Sequence, residues 1–260
     1  MTKHKYIPIL ILSTVLMCNH LNGQVLSSET LYDKIKKYDL STVIFPDSIC
    51  DDDNEKFLRP ELFGYIGSNF QRFQIHFTTI VRSITNPYEY KITGKTKVRD
   101  NICSFTGTMT VSEATNDSSD LMEEIGFPTY TRGFITFLVQ INEDKTHAGS
   151  GFIKGELTTD IYFDDKDSIH YQALMLVADG FSNNQFEGTW TSYQTGILKK
   201  CNWGDFRIPD SKDLDGGTAD FYPMEKYLEN GWRNYYNCMS DDDESKRKEA
   251  QRIEESVWWK

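Results

Sequence analysis

Between residues 70 and 201 the apolar side chains recur with a period of two, and this pattern constrains the fold more than any other feature of the chain. Such a period turns alternate side chains to opposite faces of an extended strand, one face to a core and one to water. Phe73, Ile75, Phe77, Thr79 and Val81 alternate with Gln74, His76, Thr78 and Ile80. After a turn at Asn86-Pro87, Tyr88, Tyr90, Ile92, Gly94, Thr96 and Val98 alternate with Glu89, Lys91, Thr93, Lys95 and Lys97. Strands of the same kind are expected at 103–111, 134–142, 150–163, 168–178, 185–192 and 197–201, with short turns between most of them. The expectation is a mainly β protein: an antiparallel meander of about eight strands, closed as a barrel or folded as a sandwich. Phe73, Phe77, Tyr90, Phe105, Ile153, Leu157 and Trp190 are its expected core.

The flanks divide the rest. Residues 24–66 read as a short N-terminal helix, capped by Ser27 or Ser28 and carrying Leu31, Ile35 and Tyr38, followed by an irregular acidic stretch. Residues 67–203 form the β domain, with a polar insertion at 113–132 expected as a long surface loop. Residues 204–260 begin as loop and become a helical C-terminal tail. The tail ends in Val257-Trp258-Trp259-Lys260, whose indoles are expected to dock on the β domain.

Residues 1–23 have the pattern of a signal peptide: Lys3 and Lys5 precede an apolar run over 7–17 that is too short to span a bilayer. Export to the periplasm, cell surface or extracellular space of a Gram-negative-type bacterium follows. A lipoprotein cut before Cys18 is the weaker alternative, because the large Met17 precedes it. The mature chain then carries Cys50, Cys103, Cys201 and Cys238, enough for two disulfides with open connectivity. Free buried cysteines acting as small hydrophobes are the other interpretation. The net charge of −11 offers no basic field for nucleic acid, and loss of Lys3 and Lys5 with the leader takes it to about −13.

Chemistry-bearing patterns are sparse. Asp213-Leu214-Asp215-Gly216 resembles the start of a calcium loop, so Asp213 and Asp215 are weak calcium candidates; no other metal or cofactor is expected. Glu89, Glu156, Asp160 and Glu187 lie on strands, in the phase opposite the apolar set, and His76, His147 and His170 form no metal-binding or catalytic spacing. No residue is assigned a catalytic role. Phe105-Thr106-Gly107-Thr108 is echoed by Phe186-Glu187-Gly188-Thr189, followed by Trp190. Gly188-Thr189-Trp190, preceded by Phe186, resembles the G-x-W strand motif of the calycin barrels, which include lipocalins and avidin-like proteins. That resemblance implies a small antiparallel barrel with aromatics inside that holds one apolar ligand or fills itself. The expected function is an exported, non-enzymatic binding or interaction protein whose partner is a protein or a small apolar or glycan ligand. A secreted inhibitor or immunity-type protein occupying a basic site, and a carbohydrate-active hydrolase using Glu156 or Glu187, are the alternatives.

Overall fold

The computed structural model describes residues 29–240 and 243–260. Residues 1–23 with their expected signal pattern, Cys18 among them, and the expected Ser27 or Ser28 cap lie outside the described residues. Two short strands, β1 (Ser48–Cys50) and β2 (Lys56–Leu58), form a separate hairpin. The main sheet is built from β3 (Phe63–Ile66), β4 (Gln71–Arg72), β5 (Gln74–Arg82), β6 (Glu89–Val98), β7 (Asn101–Asn116), β8 (Thr131–Glu143) and β9 (Gly151–Phe163). It is completed by β10 (Ile169–Tyr171), β11 (Asn183–Ser192) and β12 (Leu198–Asp205).

Nine of these strands run β4-β3-β12-β11-β9-β8-β7-β6-β5 in a single antiparallel sheet curled into a half-barrel, and β10 pairs with β9 beside it. The expected meander is therefore present, as one curled sheet and with nine strands rather than about eight. The chain passes directly from β4 into β5, and Phe73 N–H between them donates to Gly64 O at 2.9 Å. One continuous segment thus bonds to β3 with its first residues and to β6 with the remainder.

The inner face is the hydrophobic core. Phe73, Tyr90, Phe105, Ile153 and Leu157 are buried on it as expected, whereas Phe77 and Trp190 are half-buried. At its centre the Phe186 and Trp203 rings stack at 3.5 Å between centroids. Trp203 Nε1 is buried there without a hydrogen-bond partner, so ring packing outweighs an unmade bond that costs about 1–3 kcal/mol. In the second F-x-G copy the glycine has a packing cause: a Cβ on Gly188 or on Gly155 beside it would lie 2.5 or 2.6 Å from the Phe186 ring, whereas in the first copy the Phe105 ring lies against Gly94 and not Gly107. The Phe186 ring lies across bare backbone that no other residue leaves open.

Two bulges change the phase read from the sequence. Between Phe77 and Thr79 the register of β5 against β6 shifts by one, which turns Ile80 inward and leaves Val81 59% exposed. A second shift between Val111 and Glu113 brings Ala114 inward in the same way. Three further corrections follow from lengths too short to show a period. β3 lies within the stretch read as irregular, and β1 and β2 are three residues each. Residues 172–178 are turns, so the expected strand at 168–178 reduces to β10. The insertion at 113–132 gives its ends to β7 and β8 and contains α3 (Leu121–Glu124), whose Met122 is buried against Tyr162 and Leu174.

The termini cover different parts of the sheet. α1 (Leu31–Ile35) is capped by Thr30, whose hydroxyl accepts Asp33 N–H, and α2 (Ser41–Ile44) follows it. Both pack their apolar residues into the main core at one end of the half-barrel. The tail forms its own cluster around Leu214, Phe221 and Trp232. Gly231, at φ +94°, ends a 3₁₀ turn over 225–230 and starts α4 (Arg233–Ser240), so the helix expected across 224–236 is broken in two. α5 (Glu244–Glu254) returns to the sheet, where Glu254 accepts a two-pronged ion pair from Arg72 at 2.7 and 2.6 Å. Trp259 stacks on His76 of β5 at 3.8 Å between ring centroids. No helix among the described residues is long and apolar enough to cross a membrane.

Candidate functional site

On β8 the inward residues Ile135, Phe137, Val139 and Ile141 are all buried, and the next position in phase is Glu143. A carboxylate is therefore carried into the barrel interior by the same alternation that builds the core. It is 5% exposed and faces Thr96 of β6, Cys103 of β7 and Trp190 of β11 across the mouth of the half-barrel. Thr96 Oγ1 donates to Glu143 Oε1 at 2.5 Å; Gly151 N–H and Trp190 Nε1 donate to Oε2 at 2.7 and 2.9 Å. Gly151 is required: a Cβ there would lie 2.6 Å from the Trp190 ring, which rests on the backbone and aims its N–H at the carboxylate. All three donors are neutral, and no described Lys, Arg or His forms an ion pair with Glu143.

These residues open on a cavity of about 370 Å³, whose apolar wall includes Ile66, Phe73 and Val98. Two exposed cations, Arg99 and Lys199, also line it. Lys199 Nζ lies 5.7 Å from the Trp190 ring centroid. Arg99 occupies the β6–β7 turn with φ +54°, a conformation sparsely populated by residues with a side chain. Its Nε donates to Gln71 Oε1 at 3.0 Å, and Gln71 Nε2 donates in turn to Asn230 O at 2.7 Å. The guanidinium is thus oriented through Nε, and its two terminal nitrogens have no protein partner among the described residues. Burial, with smaller contributions from Glu143 and Asp144, pushes the Cys103 thiol up to about 11, which keeps it protonated near neutrality.

The opposite end holds a second inward carboxylate, Asp205, in phase with Cys201 and Trp203 on β12 and wholly buried. Here a cation is present. Arg59 Nη1 reaches Asp205 Oδ1 at 2.6 Å, while Tyr171 OH and Asn184 Nδ2 donate to Oδ2 at 3.0 and 2.6 Å. Burial opposes the Arg59 charge, but Asp205 outweighs that cost and the guanidinium pKa is raised. Asn184 also donates to Ile44 O, tying α2 to the network. This end is a closed, satisfied plug.

The residues singled out from sequence are placed elsewhere. Asp213 is held by Lys226 and by Tyr227 OH, and Asp215 accepts Arg207 at 2.6 Å together with the Gly217 and Tyr222 N–H groups. The two weak calcium candidates are therefore turned to different cations instead of converging. Among the described residues no cluster of three His, Cys, Asp or Glu side chains is placed to hold a metal. Glu156 and Glu187 stand directly opposite each other on β9 and β11, exposed on the outer face and away from the cavity. Asp160 is bound by Arg132, which also holds Asp117, and Glu89 is half-exposed. His76, His147 and His170 lie beside Glu61, Asn101 and Asp164 respectively.

Cys50, Cys103, Cys201 and Cys238 are all free thiols, on β1, β7, β12 and α4. The expected disulfides are absent because the two buried cysteines sit on strands with three others between them, and Cys50 and Cys238 lie on outlying elements. Comparison of the chain with family models, with curated proteins and with solved structures finds no match.

Proposed function

We propose that this is a binding protein that takes a small polar ligand into the open end of the half-barrel, in the exported setting that residues 1–23 imply. The observation that carries this proposal is Glu143, a buried carboxylate with neutral donors only, facing a cavity rather than a counter-ion. Small-molecule sites are concave and set converging polar groups against an apolar wall to fix orientation, and here Ile66, Phe73 and Val98 form such a wall beside Thr96, Glu143, Arg99 and Lys199. The protonated Cys103 supports binding over covalent catalysis, since the thiolate is the nucleophilic form. The exposed, outward Glu156 and Glu187 give no support to a hydrolase built on them.

Trp190 provides the test, because its indole forms part of the cavity wall. The full chain is titrated with a mixed panel of small amines, amino acids, sugars and carboxylic acids while tryptophan emission and thermal midpoint are followed. Binders are expected to change both signals, and Trp190→Phe is expected to remove the emission response but keep the thermal one. A panel in which no compound moves either signal at millimolar concentration overturns the proposal.

A further inference from the structure

The cavity is electrically directional. Its floor is the Glu143 carboxylate, 5% exposed, and its two cations, Arg99 and Lys199, are exposed at the rim. We infer that the ligand is a zwitterion of amino-acid type, with its ammonium group inward on Glu143 and its acid group outward on Arg99. This inference rests on the binding role proposed above.

Three observations fix the orientation. Glu143 has about four acceptor positions and three protein donors, which leaves one position on Oε1, the oxygen that receives only Thr96. An ammonium N–H completes that set with a charge-assisted bond, about twice as strong as a neutral one. Trp190 and Phe73 stand in the same wall, and aromatic faces beside a carboxylate favour a cationic group that is losing its water. At the rim, Arg99 is anchored through Nε while its terminal nitrogens are free, the edge with which guanidinium groups grip carboxylates bidentately. A purely cationic ligand meets Arg99 and Lys199 unfavourably, and a purely anionic one meets Glu143.

The experiment uses the unaltered full chain and a series of α- and ω-amino acids from glycine to 6-aminohexanoate. Each is paired with the amine lacking the acid group and the acid lacking the amine. At least one amino acid is expected to bind about tenfold or more tightly than either of its matched halves. Glu143→Gln is expected to abolish the advantage of the amino acid over the plain acid. Arg99→Gln is expected to abolish its advantage over the plain amine. If sugars or plain acids bind as well as any amino acid, or if Glu143→Gln binds the amino acid unchanged, the zwitterion is overturned while the binding cavity stands. If no compound in this series or in the wider panel binds, both fall. The series on the unaltered chain decides the question even where a variant does not fold.

Discussion

The two ends of the half-barrel each turn a carboxylate into an apolar interior, and they treat it in opposite ways. Asp205 meets a guanidinium, a phenol and an amide, and α2 is tied to it through Asn184. Glu143 meets a hydroxyl, a backbone N–H and an indole, and opens on a cavity with two cations left at the rim. A buried carboxylate is costly in itself and is retained where something offsets it. At one end the protein supplies the whole complement. At the other it supplies hydrogen bonds and leaves the charge facing outward, the difference between a structural network and a binding site.

The same isosteric change at each end separates the two most strongly. Asp205→Asn puts an NH₂ group against Arg59 or against the Tyr171 and Asn184 donors, so one buried donor is left facing another and the guanidinium loses its counter-charge. A loss of about 3–5 kcal/mol is expected in denaturant unfolding. Glu143→Gln is expected to cost about 1 kcal/mol or less. Its amide oxygen still accepts Gly151 and Trp190, and the Thr96 hydroxyl can rotate to accept from the NH₂. Equal losses at the two ends would break the comparison.

Thiol chemistry offers a finer distinction. Cys103 lines the open cavity, whereas Cys201 is completely sealed in the core. Exposed Cys50 should react first with an alkylating reagent, Cys103 slowly and Cys201 only as the fold opens. The Cys103 pKa is raised in the folded chain, so its contribution to stability is fully present at neutral pH and is lost as pH rises through the ordinary thiol range toward about 11. Its reaction rate should still climb beyond pH 10, and a cavity ligand should protect it; mass spectrometry of the modified peptides measures both. Equal protection of Cys201 by ligand would mean that the response is global.

The outer face sets the smallest expected effect. Glu156 and Glu187 are like charges directly across a strand pair, with Lys154 and Lys200 at the diagonal positions of Glu187. Glu156→Lys should raise stability by a few tenths of a kcal/mol and leave ligand binding unchanged. A change in binding would extend the site to the outer surface.

Much of this protein is determined locally. Period-two patterning requires an antiparallel sheet with one buried face, and it names most of that face, from Phe73 and Tyr90 to Ile153 and Leu157. Extended two residues beyond Ile141 and Trp203, the same phase also reaches Glu143 and Asp205. The site was thus partly legible as a carboxylate in an apolar register. Phase reveals which face a side chain joins but not what stands opposite. That Asp205 finds Arg59, 146 residues away, and that Glu143 finds only neutral donors, is decided by how the sheet curls and which segments cross its ends. The bulges that turn Val81 outward, the strand β3 that is too short to show a period, and the turn that aims Arg99 into the mouth belong to that same level. Each depends on contacts between residues far apart in the chain, and no local pattern encodes them.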